Sequence, residues 1–218
     1  MPFERWRREL RPGLQQAIAA AGQEPLAFHL KLIGADRKIP LFDGEKAPPL
    51  DTARLKGVLQ LAAGKAGWGR PLPEGQGRGI AAFYSFDSYT AAVAEVSVNN
   101  KAVKLDRLVY AVDCGRPINP EGVRAQVESA AIYGLSAASY DAITISGGRV
   151  EQANFNDYGM PRMNDAPKTE VHVVMSKEEP TGIGEPGLPV MAPAMCNAIY
   201  AATGRRLRRL PIQPQDLA

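Results

Sequence analysis

The sequence predicts an α+β domain preceded by a helical segment, on three observations. Apolar residues recur at helical spacing from Trp6 to Leu32 and again from Asp51 to about Gly67. The period then changes to alternation over IAAFYSF, TAAVAEVSV and VKLDRLVYAV. Helical spacing returns in INPEGVRAQVESAAIYGLSAAS and once more near the C-terminus. With 218 residues and 45% hydrophobic content, the chain can bury roughly 70% of the surface its unfolded form exposes, which suits one large domain or one and a small appendage.

Each element follows from local chemistry. Trp6 to Leu32 reads as two helices parted at Gly22, with Pro25 suited to the first turn of the second. Arg37 to Leu50, with Pro40, Pro48 and Pro49, reads as a loop. Asp51 is a good N-cap for a helix through Leu55, Val58, Leu59 and Ala62, ending near Gly67. The Gly/Pro-rich stretch from Gly67 to Gly79 is the best candidate boundary, dividing a helical segment (1–70) from a C-terminal domain (78–218). A strand meander comes next, turned at Asn99 and Asn100. Asn119 caps a helix to about Ala138, with Pro120 in its first turn and Val123, Val127, Ala130, Ala131 and Leu135 facing the core. Strands are expected at AITISGG and TEVHVVMS, around the irregular stretch NFNDYGMPRMNDAP, which is long enough to be either functional or loose. A last helix closes the chain, and Pro186 and Pro189 postpone its start to about Pro193.

Charge excludes some partners. A net charge of +3 creates no long-range field that would favour nucleic acid or a membrane surface. The basic run Arg205 to Arg209 reads as a solvated helix end. Cys114 and Cys196 are too far apart, and His29 and His172 too few, for a structural zinc or a sequence-local iron–sulfur site. Cys114 reads as a buried small hydrophobe rather than a nucleophile, and His172 as a satisfied core or surface histidine. No apolar run approaches the roughly 20 residues of a membrane span, and MPFERWRREL lacks the apolar centre of a signal peptide. The expectation is a soluble chain, cytoplasmic or periplasmic.

The segment PTGIGEPGLPV holds one acid, Glu185, among glycines and prolines. GIGEPG satisfies G-x-G-x-x-G, but a carboxylate inside that loop would repel a pyrophosphate. The acid expected about 20 residues further on is also missing, and the prolines delay the helix such a loop needs. Gly182 and Gly184 instead let backbone approach a ligand closely, while Pro186 and Pro189 stiffen the chain on the C-terminal side of the acid. Held at a fixed point and partly stripped of water, Glu185 can serve as a general base. From spacing alone, an exposed loop acid near a helix start is the plainer reading.

GIGEPGLPVMAPAMCNAIYAATGRRLRRLPI resembles the C-terminal signature of the molybdopterin-binding large subunit of the xanthine dehydrogenase and aldehyde oxidoreductase family, in particular the branch of the isoquinoline 1-oxidoreductase beta subunit. The resemblance continues, in family order, through ELRPGLQQAIAAAGQEPLAFHLKLIG, GRGIAAFYSFDSYTAAVAEVSV, VYAVDCGRPINPEGVRAQVESAAIYGLSAA and GRVEQANFNDYGMPRM. It implies a molybdopterin-binding domain of that type, present in part, with Glu185 as catalytic base beside the molybdenum and Gly182 and Gly184 at the cofactor. The segment around Gln126 resembles one lying near the cofactor in relatives, although a packed or capped core glutamine is the plainer reading.

The implied reaction is hydroxylation of a small aldehyde or N-heterocycle with oxygen from water. Glu185 takes a proton from a hydroxyl on the metal, and electrons leave through iron–sulfur clusters on a partner. The implied cofactor is molybdopterin as its cytosine dinucleotide. The implied partners are a 2Fe–2S small subunit and a chain carrying the upstream half of the molybdopterin subunit. The sequence departs from the family in lacking a GGGFG loop, a Q-x-GQG segment and cysteine quartets. Two expectations arise from that departure: a chain active only when complemented, or a silent fragment that serves assembly.

Overall fold

The computed structural model describes residues 22–41 and 48–217. Helix α1 (Pro25–Ile33) starts at Pro25 as expected, and the Glu24 carboxylate accepts the amides of Leu26 and Ala27 at 2.9 and 2.7 Å. The earlier of the two expected N-terminal helices lies outside the described residues. Two short strands, β1 (Lys38–Ile39) and β2 (Leu50–Asp51), pair antiparallel where the sequence suggests a plain loop. Asp51 then caps α2 (Thr52–Ala66), accepting the Ala53 amide at 2.8 Å, and Gly67 ends it in a left-handed conformation.

The stretch read as a boundary, Gly67 to Gly79, leads into β3 (Gln76–Ser85). The meander continues through β4 (Ser88–Asn99) and β5 (Ala102–Asp113). Its second turn sits one residue later than expected, with Asn100 and Lys101 both at positive φ, as do Phe86 and Asp87 in the first. Such turns match the right-handed twist of paired strands. From β5 the chain crosses through α3 (Pro120–Ser139) and a small hairpin, β6 (Ile145–Ser146) and β7 (Arg149–Val150), to β8 (Lys168–Val173). The last helix is α4 (Leu188–Thr203). The main sheet runs β3–β4–β5–β8, antiparallel except that β8 lies parallel to β5.

Helices cover both faces of this sheet. On one face Val127, Ala131 and Leu135 of α3 and Met191, Met195 and Ile199 of α4 pack on Ala92, Ala94, Leu108 and Tyr110. On the other, Val58, Leu59 and Ala62 of α2 pack on Ile80, Val93, Val109 and Ala111. This double covering explains why β4 is buried almost continuously from Ser88 to Val96 rather than on alternate residues. Glycine permits the closest approach: a Cβ on Gly77 or Gly79 would collide with the α4 backbone at Ala198.

Three further expectations need correction. Helix α4 begins at Leu188, not near Pro193, because Pro189 falls in its first turn, where a missing N–H costs nothing. Gln126 is exposed rather than packed, since it lies on the outer side of α3, one position before core-facing Val127. His172 is not satisfied: its Nε2 is buried without a hydrogen-bond partner among the described residues, and burial lowers its pKa.

Candidate active site

Glu185 stands on the loop between β8 and α4, and its side chain is exposed. The loop around it is fixed on both sides. Upstream, the Thr181 amide donates to the Cys114 carbonyl at 2.9 Å and the Gly182 amide to the Phe86 carbonyl at 3.1 Å. The Ser88 hydroxyl lies 2.6 Å from the Gly182 carbonyl oxygen and 2.7 Å from Thr181 Oγ1. Downstream, the Leu188 amide donates to the Glu185 carbonyl at 2.9 Å, closing a turn. Gly187 is buried against α3, where an added Cβ would stand 3.0 Å from Ala130 Cβ.

The glycines of this loop have different tasks. A Cβ on Gly182 would meet the Phe86 Cβ at 2.9 Å, so this glycine lets the loop lie on the β3–β4 turn. Gly184 faces open space, with nothing within 4 Å of its Cβ position. Pro186 is buried between the exposed acid and the packed Gly187. The turn of α3 that receives Gly187 is the one immediately after Gln126. Loop and helix therefore meet side by side, with Glu185, Gly184 and Gln126 all exposed. The partial desolvation expected of Glu185 is not a property of the isolated chain.

These residues suit one wall of a site for a large, polar, hydrogen-bonding group. The wall has an exposed carboxylate, an exposed side-chain amide and approachable glycine backbone. Among the described residues, no protein acceptor engages the amides of Ile183, Gly184 and Glu185. They are free to donate to ligand oxygens. A cavity of about 240 Å³ lies elsewhere, lined by Trp68, Arg78, Asn197, Tyr200 and Arg206, and none of the loop residues lines it. Its cations are already engaged, Arg78 with Glu95 at 2.8 Å and Arg206 over the Tyr200 ring at 3.6 Å. Cys114 is buried at the end of β5, and burial pushes its thiol pKa up, which disfavours a nucleophile.

Sequence reasoning does not single out Ser88 or Thr181. A signal exists: Ser88 and Thr90 begin the same face of β4 that continues apolar as Ala92, Ala94 and Val96. Of these two fully buried hydroxyls, Ser88 finds partners and Thr90 Oγ1 has none among the described residues.

Known proteins resemble this chain in sequence and in fold. A family model described as a molybdopterin cofactor-binding domain matches residues 55–167. A membrane-bound aldehyde dehydrogenase of Gluconacetobacter polyoxogenes, named for pyrroloquinoline quinone, is 31% identical over 97% of this chain and 29% of its own length. The isoquinoline 1-oxidoreductase subunit beta of Brevundimonas diminuta is 33% identical over 72% of this chain and 21% of its own. The chain thus spans under a third of the curated relatives it matches. Among solved structures, the aldehyde oxidoreductase of Desulfovibrio gigas superposes with a TM-score of 0.53 and 24% identity, covering 60% of this chain and 15% of its own. A Cu,Mo carbon monoxide dehydrogenase superposes with a TM-score of 0.52 and 22% identity, covering 60% and 18%.

Proposed function

This chain belongs to the molybdopterin cofactor-binding family of the xanthine dehydrogenase type, and on that premise we propose that it supplies the base-bearing wall of a molybdenum hydroxylase acting on aldehydes or N-heterocycles. The observation that carries the reading is an exposed Glu185 on a loop fixed at both flanks by buried contacts.

Bound at this wall, the cofactor would supply a Lewis-acidic metal that activates water-derived oxygen at neutral pH and takes up the substrate's electrons. The chain's own part is placement and proton handling. Backbone at Gly182 and Gly184 allows close approach, the free amides nearby donate to cofactor oxygens, and Gln126 can both donate and accept at the rim. Glu185 receives a proton on a carboxylate oxygen and holds it while the substrate is oxidised. Water is excluded from this exposed acid by cofactor, substrate and the rest of the complex. We further infer the cytosine dinucleotide form of the cofactor, an iron–sulfur small subunit as electron outlet, and a second chain that completes the site.

The test is Glu185→Gln in the complex of this chain with the upstream half and the iron–sulfur subunit. Gln keeps the size and hydrogen-bonding reach of Glu but not its basicity. Turnover should fall by about 10² to 10⁴ at unchanged molybdenum content. Equal turnover at equal metal removes Glu185 from the mechanism.

A second reading, a silent assembly module, draws on the apolar side chains exposed along residues 141–167, among them Ile145, Phe155 and Met163. A complex that forms but holds no molybdenum and turns over nothing would favour it.

A further inference from the structure

We propose that Ser88, acting with Thr181, is a positioning residue for Glu185: two linked hydroxyls latch the base-bearing loop to the β3–β4 turn. The proposal rests on the reading of Glu185 as the base.

The hydrogen-bond direction can be worked out. Ser88 opens β4 immediately after the Phe86–Asp87 turn and is fully buried. Its single hydroxyl proton has two neighbours, the Gly182 carbonyl at 2.6 Å and Thr181 Oγ1 at 2.7 Å. A carbonyl oxygen can only accept, so the Ser88 proton goes to Gly182. Thr181 must then donate to Ser88 Oγ. Donation therefore runs one way, from Thr181 to Ser88 to the Gly182 carbonyl, and each bond polarises the next.

The consequence lies three residues further on. The two amides of Thr181 and Gly182 are also bound, to Cys114 and Phe86, so the backbone entering the loop is held through two amides and the Gly182 carbonyl. Downstream, Gly187 is seated on α3 and Pro186 has a fixed φ. Only Ile183, Gly184 and Glu185 lie between these anchors, too short a span to absorb a shift at Gly182 without moving the Glu185 carboxylate. Ser88 itself has no accessible surface, so it acts through the backbone and not by touching a substrate.

The test has two arms, each read on Ser88→Ala, Thr181→Val and Thr181→Ser. In the chain alone, amide hydrogen exchange is followed by mass spectrometry. Ser88→Ala should speed exchange at the two hydrogen-bonded amides, Thr181 and Gly182, by about tenfold or more, since the bonds that hold this backbone loosen locally. Thr181→Val should show a smaller effect and Thr181→Ser none, with β4 and β5 unchanged in all three. In the assembled complex, kcat should fall about 10- to 100-fold in Ser88→Ala, with KM and molybdenum content within about twofold. Thr181→Ser should retain wild-type kcat. Should Ser88→Ala not fold, Thr181→Val carries both arms.

Unchanged loop exchange in Ser88→Ala, or in Thr181→Val where that variant carries the test, overturns the latch. Faster exchange with an unchanged kcat, while Glu185→Gln is inactive, leaves a purely structural contact and overturns the positioning role. Full activity in Glu185→Gln removes the base, and the positioning role with it, whereas the exchange arm still reports on the latch.

Discussion

Two irregular segments flank β8, and they are ordered in different ways. Residues 141–167, before the strand, bond mainly to themselves: Glu151 to Thr144, Ala153 and Asn154 to Asp157, Arg162 to Asp165. Their large apolar side chains face outward, with Phe155 82% and Met163 93% exposed. Residues 174–187, after the strand, bond outward to the ends of other elements: Val174 to Val112, Thr181 to Cys114, Gly182 to Phe86 and Ser88. Lack of secondary structure therefore does not mean looseness. A loop that borrows its partners from strand ends inherits the rigidity of the sheet, which is what a base held at a fixed point requires. A segment satisfied mainly by itself leaves its apolar side chains exposed.

The strongest way to break this contrast is to undermine the strand end on which the second loop hangs. Arg54 of α2 holds Asp113 at the end of β5 through two bonds of 2.9 and 2.7 Å, and the same carboxylate accepts the Gly115 amide. Asp113 is 7% exposed, so Arg54→Met would leave a buried charge unpaired, at about 3–5 kcal/mol. Chemical denaturation should show that loss. Amide exchange should show residues 174–187 loosening while 141–167 keeps its own rate.

Gly182→Val comes next. Its Cβ would meet Phe86, so the loop must lift from the β3–β4 turn. Turnover of the complex should fall by about 10²-fold, the size expected for a misplaced reacting group, with only a modest change in the unfolding midpoint of the chain. Wild-type turnover in this variant would mean that the fixed backbone is not what places Glu185.

A smaller effect is expected from acid, because β8 joins the two segments. Hydrogen bonds from Arg107 and Lys168 hold the Glu170 carboxyl at about 2. A carboxyl with a lowered folded pKa stabilises the fold fully above its ordinary range near 4.5, and the contribution disappears as pH falls toward 2. The protection of the β8 amides, with exchange corrected for its intrinsic pH dependence, should therefore fall as pH drops through that window and be flat above it. Glu170→Gln should abolish the dependence.

The smallest effect belongs to the first segment. Phe155→Ser and Met163→Ser should leave the stability of the isolated chain within about 0.5 kcal/mol, since neither side chain is buried. The same variants should weaken association with the upstream half of the subunit, measured by calorimetry.

Much of this arrangement is legible in the sequence where the deciding chemistry is local. Asp51 and Gly67, and Asn119 with Pro120, mark their helices correctly because caps act within a turn. The start of α4 is harder to place because Pro189 reads as a helix breaker unless its position in the first turn is known. The parallel pairing of β8 with β5 and the exposure of Gln126 depend on how α3 crosses the sheet, which no local pattern records. The Ser88 contact joins residues more than 90 positions apart. A polar residue on an apolar strand face is the only trace it leaves.

The most direct test of the account is to measure molybdenum and turnover together in the purified complex of this chain with the upstream half and the iron–sulfur subunit. The account predicts about one molybdenum per chain, and aldehyde or N-heterocycle oxidation that scales with metal content across partly loaded preparations. Turnover independent of molybdenum, or restored by pyrroloquinoline quinone in its absence, would contradict it.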